Sequence, residues 1–388
     1  MPVASNRPRC GVCDRVLVKN GKTTAGRTRW RCLDCGASTT RTRSDVSRKA
    51  ELAAFMSWIL SSRSQSDFGS SSRSFRRDTS WCWNVRVPPP AATGQIHHQI
   101  MLDGTYFNGW CVLIAFNGQH VIDWQWCDTE KKIAWQALLE RIPAPKIAII
   151  DGGTGLRSAL KDSWPSTRVQ RCYFHIFRNI RRELTYQPRL PAGKELAALT
   201  SALMKVRTQE EAASWVREYA RWEARWDEFL RHRTYARTGQ ERPSSVPQTS
   251  QWWYTHQRLR RARNIYRRLI KDKCLFTWLE TTLQPDSGQK VHRTTSPLEG
   301  GPNKAIKDLL RFHRGLPEAH ARTAVDWLLD SLTEFPREPW TLVSPEHFNP
   351  PRKQAVNEET DTPPTYDNHF SWEDGNGLQN GWGGRRHQ

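Results

Sequence analysis

The hydrophobic pattern of the chain is clearest between residues 99 and 160, where short apolar runs surround one amphipathic stretch. Residues 129–141 repeat apolar positions at three- and four-residue spacing and predict a helix, and a shorter helix follows at 156–160. Asn117-Gly118 is typical of a two-residue hairpin between two strands. Four runs have the length and the bounding turn residues of strands: 99–103, 110–116, 119–126 and 147–150.

The element order β-β-β-α-β-α predicts an α/β fold with an RNase H-like core. In that order the first and fourth strands lie side by side in the middle of the sheet. Each ends in an aspartate followed by glycine, Asp103 after the first strand and Asp151 after the fourth. Because ligands of α/β sheets bind at the carboxyl ends of the strands, we expect the two carboxylates to converge there. A turn aspartate that caps the following helix is the alternative interpretation of Asp151.

Beyond residue 183 the apolar spacing becomes helical and predicts helices at 194–205, 209–229 and 251–282. A compact core needs far fewer residues than separate Asp151 from the next candidate acid, Glu299, so this interval predicts an inserted, all-helical domain. Tryptophans recur along its helices, and we interpret them as the core of a helix bundle rather than as a base-stacking surface. They are Trp215, Trp222, Trp226, Trp252, Trp253 and Trp278.

The N-terminal region contains two Cys-x-x-Cys pairs separated by eighteen residues. This spacing predicts a zinc ribbon with one structural Zn²⁺, because four thiolates complete a tetrahedral site. A redox pair is the alternative, and the duplication of the pair argues against it. The predicted ligands are Cys10, Cys13, Cys32 and Cys35.

A helix-turn-helix pattern follows the cysteines. Residues 47–60 carry an apolar stripe, 65–69 form a short second helix that ends at a glycine, and 71–83 form an arginine-rich third helix. We expect Arg73, Arg76 and Arg77 to face DNA. A plain three-helix domain without DNA contact is the alternative. The proline-rich stretch at 85–93 predicts a linker.

Composition narrows the partners of this 388-residue chain. Lys and Arg number 59 against 39 Asp and Glu, and the formal net charge of +20 indicates a polyanionic partner, most simply nucleic acid. No apolar run reaches the roughly 20 residues of a membrane span, and the N-terminus lacks the apolar segment of a signal peptide. Paired Cys-x-x-Cys motifs suit a reducing compartment, so we expect a cytoplasmic, nucleoid-associated protein.

Several side chains outside the strands complete the candidate chemistry. Cys172 and His175 share one helix face, and we favour a packing and hydrogen-bonding role for His175 over metal or DNA contact. Glu299 lies in a Thr/Ser/Pro/Gly-rich loop that we expect to swing toward the aspartates. The rival acids Asp123, Asp128 and Glu318 do not stand at a strand end before glycine. Further expected DNA contacts are Arg178, Arg258, Arg261, Lys304 and Arg311, within arginine-rich helices.

Four motifs in this order resemble the bacterial insertion-sequence branch of the Mutator superfamily of transposases. They are LDGTYF with Asp103, IIDGGTGL with Asp151, RCYFHIFRNI with Cys172 and His175, and TTSPLEGGPNK with Glu299. The resemblance implies an RNase H-like fold, a DDE triad of Asp103, Asp151 and Glu299, and two Mg²⁺ or Mn²⁺ ions held by that triad. It also implies an all-helical insertion, a position of Cys172 and His175 near the active site, and cleavage and joining of DNA strands at transposon ends.

The stretch around Glu299 departs from the family pattern. Relatives typically carry Asn where Ser296 stands and an asparagine sooner after the glutamate than Asn303, so Gly300-Gly301-Pro302 resembles a local insertion. The predicted domains are a Cys₄ zinc ribbon at 1–43, a helix-turn-helix domain at 44–87, a linker at 88–98, the first part of the core at 99–182, an all-helical insertion at 183–290, the last part of the core with Glu299 at 291–335, and a mostly disordered tail at 336–388.

The resulting functional hypothesis is a DDE transposase that acts on double-stranded DNA, both the terminal inverted repeats of its own element and the target. Bringing two ends together requires a homodimer or a higher oligomer on DNA. The alternatives are a non-catalytic zinc-ribbon and helix-turn-helix regulator, a decayed transposase, and a plain metal-dependent nuclease. Intact carboxylates at all three motif positions argue against decay.

Overall fold

The structure is a computed structural model that describes residues 7–24, 26–40, 44–68, 71–107, 109–284 and 290–348. The described residues divide into two units, one within 7–90 and 302–348 and the other within 91–301. The predicted tail segment 349–388 lies outside the described residues.

The first unit begins with a small antiparallel sheet of β1 (Val18–Lys22), β2 (Thr28–Arg31) and β3 (Ser38–Thr39), in the order β1-β2-β3. Its buried centre consists of Leu17 with Cys10 and Cys32, and Trp30 packs against them. So few apolar side chains stabilise little structure, since domains below about 40 residues usually need a metal or disulfides.

Helices α1 (Ser44–Ile59) and α2 (Ser72–Thr79) follow, with a 3₁₀ turn at Gln65–Phe68 between them and another at Ser80–Asn84. The Ser71 hydroxyl caps α2 by accepting a hydrogen bond from the Ser74 N–H at 3.1 Å. The three predicted helices are therefore present, but the second is a single 3₁₀ turn and the third ends as one.

The second unit contains a five-stranded sheet in the order β6-β5-β4-β7-β8. Strands β4, β5 and β6 are antiparallel neighbours, and β7 and β8 run parallel to β4. The predicted neighbours β4 and β7 do pair in the middle of the sheet. The strands are β4 (Gln99–Phe107), β5 (Trp110–Phe116), β6 (Val121–Cys127), β7 (Ile147–Ile150) and β8 (Arg168–Arg171).

Helices α3 (Lys132–Leu139) and α4 (Thr154–Ser163) pack together against the sheet through buried residues such as Trp135 and Leu156. The approach is close at Gly155, where an added Cβ would lie 2.3 Å from the backbone oxygen of Glu130. A Cβ at that distance overlaps an atom whose backbone position is set by the loop before α3. Glycine is therefore required for α4 to begin where it does.

Gly155→Ala is expected to destabilise the protein by about 1–3 kcal/mol, the usual cost of forcing an extra methyl group into a filled site. The gain in helix propensity from glycine to alanine, about 1 kcal/mol at most, does not offset the clash. Urea denaturation measures the effect, with Gly301→Ala as control because an added Cβ there meets nothing within 4 Å. Equal midpoints for the two variants would contradict the close approach.

The insertion is mainly helical, with α5 (Tyr173–Leu184), α6 (Pro191–Leu203), α7 (Gln209–Arg231) and α8 (Gln257–Lys271). The prediction that it is all-helical is wrong, because β9 (Arg233–Tyr235) and β10 (Trp252–Tyr254) form an antiparallel pair. The strand pair replaces the first turns of the helix predicted at 251–282. A 3₁₀ turn at Ala236–Thr238 follows β9, and others lie at Thr277–Leu279 and Thr281–Leu283.

Tryptophans supply the core of this bundle. Trp215 and Trp222 on α7 are buried with Tyr219 and with Tyr266 of α8, and Trp226 and Trp278 pack partly buried against the same cluster. The interpretation of the tryptophan stripe as packing is confirmed for these residues.

The second unit ends with α9 (Ser296–Leu298), which runs directly into a π-helical turn at Glu299–Asn303. The prediction of a loop at Glu299 is therefore wrong. The supposed local insertion Gly300-Gly301-Pro302 lies inside the π turn, the form in which a helix accommodates an extra residue. Pro302 also lacks an N–H, so it cannot donate the regular helical bond.

The chain then returns to the first unit with α10 (Lys304–Phe312) and α11 (Glu318–Ser331). His320 of α11 stacks on Trp83 with ring centroids 4.0 Å apart, and His313 packs edge-on against Trp58 at 4.8 Å. After Pro336 the described residues contain 3₁₀ turns at Pro339–Leu342 and Pro345–Phe348. The mostly disordered tail at 336–388 stays a prediction.

Candidate functional site

The pairing of β4 with β7 brings Asp103 and Asp151 to the same level of the sheet. Leu102 is the register partner of Ile150, and each aspartate directly follows one residue of this pair. Neighbouring strands lie about 4.8 Å apart. Strand β4 continues to Phe107 beside β5, whereas β7 stops at Ile150, so Asp103 stands where β4 loses its β7 neighbour. Asp103 is therefore buried within a strand rather than exposed at its tip, which differs from the sequence-based expectation.

The Asp151-Gly152-Gly153 turn is fixed by hydrogen bonds and by an arginine. Gly153 N–H donates to Asp151 Oδ1 at 2.9 Å, and Arg171 Nη2 donates to the Asp151 carbonyl at 2.5 Å. Gly152 has φ of +102°, and an added Cβ would fall within 2.1 Å of three guanidinium atoms of Arg171. Only glycine satisfies both the left-handed backbone and the packed guanidinium. The turn therefore sets the Asp151 carboxylate independently of any capping of α4, whose N-cap is Gly153.

Glu299 is held by a chain of contacts that starts at the N-terminus of α5. The Thr295 backbone N–H donates to Cys172 Sγ at 3.3 Å, and the Thr295 hydroxyl oxygen lies 3.2 Å from the same sulfur. The single hydroxyl proton is donated to Glu299 Oε1 at 2.7 Å. His175 Nδ1 is 3.8 Å from that carboxylate oxygen. Cys172, His175 and Glu299 thus form one group whose possible ligand atoms lie within 4.8 Å of one another.

The three proposed carboxylates share one electrostatic environment. Burial raises the pKa of Asp103 to about 7, with further increases from the charges of Asp151 and Glu299 and a decrease from His175. Within the described residues, however, the three carboxylates are not close enough to form a single-ion group, whereas Glu299 does so with Cys172 and His175. Asp103 and Asp151 each directly follow one member of the Leu102–Ile150 pair, and Glu299 Oε1 lies 3.8 Å from His175 Nδ1.

Cys172 and His175 behave as a coupled pair. Burial raises the pKa of the Cys172 thiol, but hydrogen bonding and charge from His175 and hydrogen bonds from Thr295 outweigh it, and the net direction is downward. Burial lowers the pKa of His175, yet the interactions with Cys172 and the charges of Asp151 and Asp103 raise it overall to about 9. The pair therefore places a positive imidazolium beside Glu299. Both the packing role and the metal-ligand role of the pair stay predictions, since these residues and Glu299 could also hold a metal ion.

Glu130 is a residue near the site that the sequence reasoning missed. Its Oε1 lies over Gly104, 2.4 Å from where a Cβ would stand, and its backbone N–H donates to the Tyr106 hydroxyl at 3.1 Å. Burial raises its pKa well above the usual value, and the charges of Asp151 and Asp103 add to this effect. No spacing signal distinguished Glu130, because an acid just before a helix is common for its favourable dipole interaction.

The rival acids lie elsewhere. Asp123 is buried and its carboxylate accepts from Arg141 at 2.6 Å and from the Trp124 N–H at 2.7 Å, so it stabilises the sheet. Asp128 is exposed in the loop after β6. Glu318 starts α11 in the first unit and pairs with Arg322 at 2.7 Å. Asp103 and Asp151 therefore remain the aspartates at the β4–β7 edge.

The four N-terminal cysteines converge. Cys10 Sγ is 3.4 Å from Cys35 Sγ, and Cys13 Sγ is 3.4 Å from Cys32 Sγ, and all four sulfurs lie within 4.8 Å of one another. Four sulfurs around one zinc at about 2.3 Å would be separated by about 3.8 Å. Backbone N–H groups of Cys13 and Val12 lower the pKa of Cys10 to about 7, which favours a thiolate. The cluster can therefore hold a metal ion such as zinc.

The predicted DNA-contacting residues fall into two classes. On α2, Arg73 and Arg76 are exposed, as is Arg77, which pairs with Asp78 at 3.0 Å. On α10, Lys304 and Arg311 both pair with Asp308, at 2.5 and 3.0 Å. The charges of Lys304 and Arg311 are therefore partly neutralised by an acid of the same helix.

In the second unit, Arg178 and Arg261 line a cavity of about 300 Å³ that also contains Asp151. Arg258 instead donates to the Arg182 carbonyl at the end of α5. Two other arginines of α8 meet acids of α7: Arg263 is buried beside Asp227, and Arg267 pairs with Glu223 at 2.5 Å.

In the described part of the chain, no helix has the length and apolar character needed to cross a membrane.

Comparison with known proteins finds one family. Residues 110–269 match the family described as "Transposase, Mutator family". The matched region contains Asp151, Cys172 and His175, begins after Asp103 and ends before Glu299. No curated protein matches the chain.

Proposed function

We propose that this chain, which carries a Mutator-family transposase domain over residues 110–269, is a DDE transposase with an RNase H-like core. The observation that supports this most is the β4–β7 register, which sets Asp103 and Asp151 side by side where β7 ends. Glu299 supplies the third carboxylate from the helical turn that follows α9. The strand order β6-β5-β4-β7-β8 supports an RNase H-like core, because β4 and β7 are its central neighbours.

The residues at this edge fit a pair of divalent cations. The donor atoms are carboxylate oxygens, which Mg²⁺ and Mn²⁺ prefer. Burial, followed by the charges of Asp151 and Glu299, raises the pKa of Asp103 to about 7. A bound cation would neutralise these neighbouring negative charges. Asp103 and Asp151 would hold the ions jointly, and Glu299 would complete one position. When bound, two such ions activate the attacking hydroxyl or water and stabilise the leaving oxygen of a phosphodiester.

The protein's own groups position that third carboxylate. Thr295 bridges Cys172 Sγ and Glu299 Oε1, so the Glu299 side chain is tied to the start of α5. The positive His175 side chain, 3.8 Å from Glu299 Oε1, holds the carboxylate by charge. The tie holds Glu299 at the start of α5 beside Cys172 and His175 without a swinging loop.

Thr295→Val is expected to lower strand joining about tenfold and to raise the Mg²⁺ concentration needed for half-maximal activity. It removes a hydrogen bond to a charged group, about 1.5–3 kcal/mol, while keeping the side-chain shape. Titration of activity with Mg²⁺ measures the effect, with Thr294→Val, one residue earlier, as the matched control. A rate loss without any shift in Mg²⁺ dependence would indicate general destabilisation instead.

DNA recognition belongs to the first unit in this proposal. The Cys₄ cluster would bind one structural Zn²⁺, and α1, the 3₁₀ turn and α2 would form the helix-turn-helix that presents Arg73, Arg76 and Arg77 to the terminal repeats. The net charge of +20 supports binding to double-stranded DNA, at the ends and at the target. Two ends must meet, so the active form is a homodimer or higher oligomer on DNA, in the cytoplasm with the nucleoid.

Strand transfer with pre-cut terminal-repeat oligonucleotides and Mg²⁺ tests the proposal. The expected product is the repeat joined covalently through its 3′ end to a target plasmid. A nuclease would cut the DNA without joining it. A regulator or a decayed enzyme would bind the repeat and yield no product with any divalent ion. Either of the last two outcomes would overturn the proposed function.

A further inference from the structure

A cavity of about 300 Å³ opens beside the Asp151 turn, and six of its lining side chains are arginines. We name it the arginine cavity. The turn from Asp151 to Thr154 forms one wall, and one face each of α5 and α8 form the others. Its arginines are Arg157, Arg171, Arg178, Arg182, Arg261 and Arg268, and its acids are Asp151, Glu183 and Asp272.

Helical periodicity builds the basic walls. On α5, His175, Arg178 and Arg182 lie at three- and four-residue spacing, so they share a face. On α8, Arg261 and Arg268 are seven residues apart and also share a face. The line on α5 starts at His175, next to Glu299, and reaches Arg182 about 10 Å further on, at 1.5 Å per residue. The cations therefore extend outward from the carboxylates.

Four of these arginines have no carboxylate partner within salt-bridge distance in the part of the chain that the structure describes: Arg178, Arg182, Arg261 and Arg268. Arg157, by contrast, pairs with Asp272 at 2.7 Å, and Arg171 donates to the Asp151 carbonyl. On the opposite face of α8 the arginines are paired, Arg263 with Asp227 and Arg267 with Glu223. The cavity face of α8 has cations that the protein itself does not neutralise.

A further feature indicates an extended anionic ligand. A larger cavity of about 1180 Å³ shares Arg182, Glu183 and Arg261 with the first. A ligand that starts at Asp151 can therefore continue past Arg182 along α5.

We propose that the arginine cavity binds the backbone phosphate adjacent to the phosphodiester that is cut, on the same DNA strand, with Arg182 and Arg268 as its main contacts. The cavity is too small for a duplex, and guanidinium groups match phosphate oxygens in charge and in fork geometry. This proposal rests on the proposed function, because it places the phosphate relative to the Asp151 site. The bound phosphate fixes the register of the strand over the carboxylates.

The test measures binding without divalent metal, so that it does not depend on catalysis. Terminal-repeat duplexes carry a single neutral methylphosphonate at each backbone position near the cleavage point. In the wild-type full-length chain, the substitution next to the cut is expected to weaken binding about tenfold, the size of a charge-assisted hydrogen bond. In Arg182→Ala/Arg268→Ala the same substitution is expected to have no further effect, because the partner cations are gone.

The control variant is Arg217→Ala, which removes an exposed cation of α7 outside the cavity. It should keep the full methylphosphonate effect, and thermal melting should show all variants folded. The slope of log Kd against log salt should fall by about 1 in the double variant, because one phosphate contact is lost. Methylphosphonate effects that are equal in the wild type and in the double variant at every position would overturn the cavity proposal. If strand transfer fails but the methylphosphonate effect is present in the wild type and absent in the double variant, only the proposed function is overturned.

Discussion

Asp151→Ala is expected to reduce strand transfer by about 10³-fold or more while leaving affinity for terminal-repeat DNA within about twofold. The Asp151 carboxylate is set beside Asp103 by the β4–β7 register and oriented by the Gly153 N–H. Losing one shared carboxylate removes transition-state stabilisation worth several kcal/mol, and each 1.36 kcal/mol is a factor of ten. Binding to the repeat is assigned to the first unit and to the arginines, so it should survive.

Single-turnover strand transfer and electrophoretic mobility shift measure the two quantities. Asp128→Ala is the matched control, since Asp128 is an exposed aspartate in the loop after β6 of the same unit. It should transfer strands at the wild-type rate. Equal activities of the two variants would show that Asp151 is only a turn residue that shapes the start of α4.

Removing the metal from the Cys₄ cluster is expected to unfold the region 7–40 and to weaken binding to the terminal repeat by about 100-fold. The buried centre there is little more than Leu17 with Cys10 and Cys32. A structural zinc contributes about 10–16 kcal/mol in comparable small sites at pH 7, so an ion bound by the four cysteines would hold this small fold together. The purified protein should contain one equivalent of zinc, which a chromogenic chelator detects after thiol modification.

Cys32→Ser should reproduce the effect of chelation, because it removes one of four ligands from a buried position. Cys127→Ser is the control, a half-buried cysteine outside the cluster. It should keep one zinc per chain and normal binding. Zinc-free protein with an intact ribbon, shown by unchanged tryptophan fluorescence and unchanged affinity, would contradict the structural role.

The β4–β7 edge could be predicted from the sequence because two independent signals agree there. Apolar runs marked the strands, and each run ended in aspartate and glycine. Strand order then made the two carboxylates neighbours. The fifth strand β8 escaped prediction because its sequence RVQR places arginines at both ends of a short run, although Gln170 in it is fully buried. Hydrogen bonds from Gln170 to the carbonyls of Arg171 and Leu275 explain that burial.

The surroundings of Glu299 could not be read from local composition. Thr, Ser, Pro and Gly around it favour a loop in isolation. In the structure, Leu298 is fully buried and Thr295 is tied to Cys172, so tertiary contacts hold the segment helical. The π turn then absorbs Gly300-Gly301-Pro302 after the glutamate. The extra residues Gly300-Gly301-Pro302 are therefore accommodated in the turn that follows Glu299 in the chain.

The arginines of α8 illustrate a second limit of prediction from the sequence. Their density predicts a basic surface, but periodicity alone does not say which face meets other helices. Arg263 and Arg267 turned out to pair with acids of α7, while Arg261 and Arg268 line the arginine cavity. Glu130 shows the same limit for acids. Its approach to Gly104 results from the packing of the loop before α3, which no spacing in the sequence encodes.

The most direct test is to locate Mn²⁺ by anomalous diffraction in crystals of the full chain with its terminal-repeat DNA. The account predicts two peaks about 3.5–4 Å apart, one between Asp103 and Asp151 and one shared with Glu299. Within the described residues, the group formed by Cys172, His175 and Glu299 offers a competing location. A single peak at that group, with none between the aspartates, would contradict the three-carboxylate site.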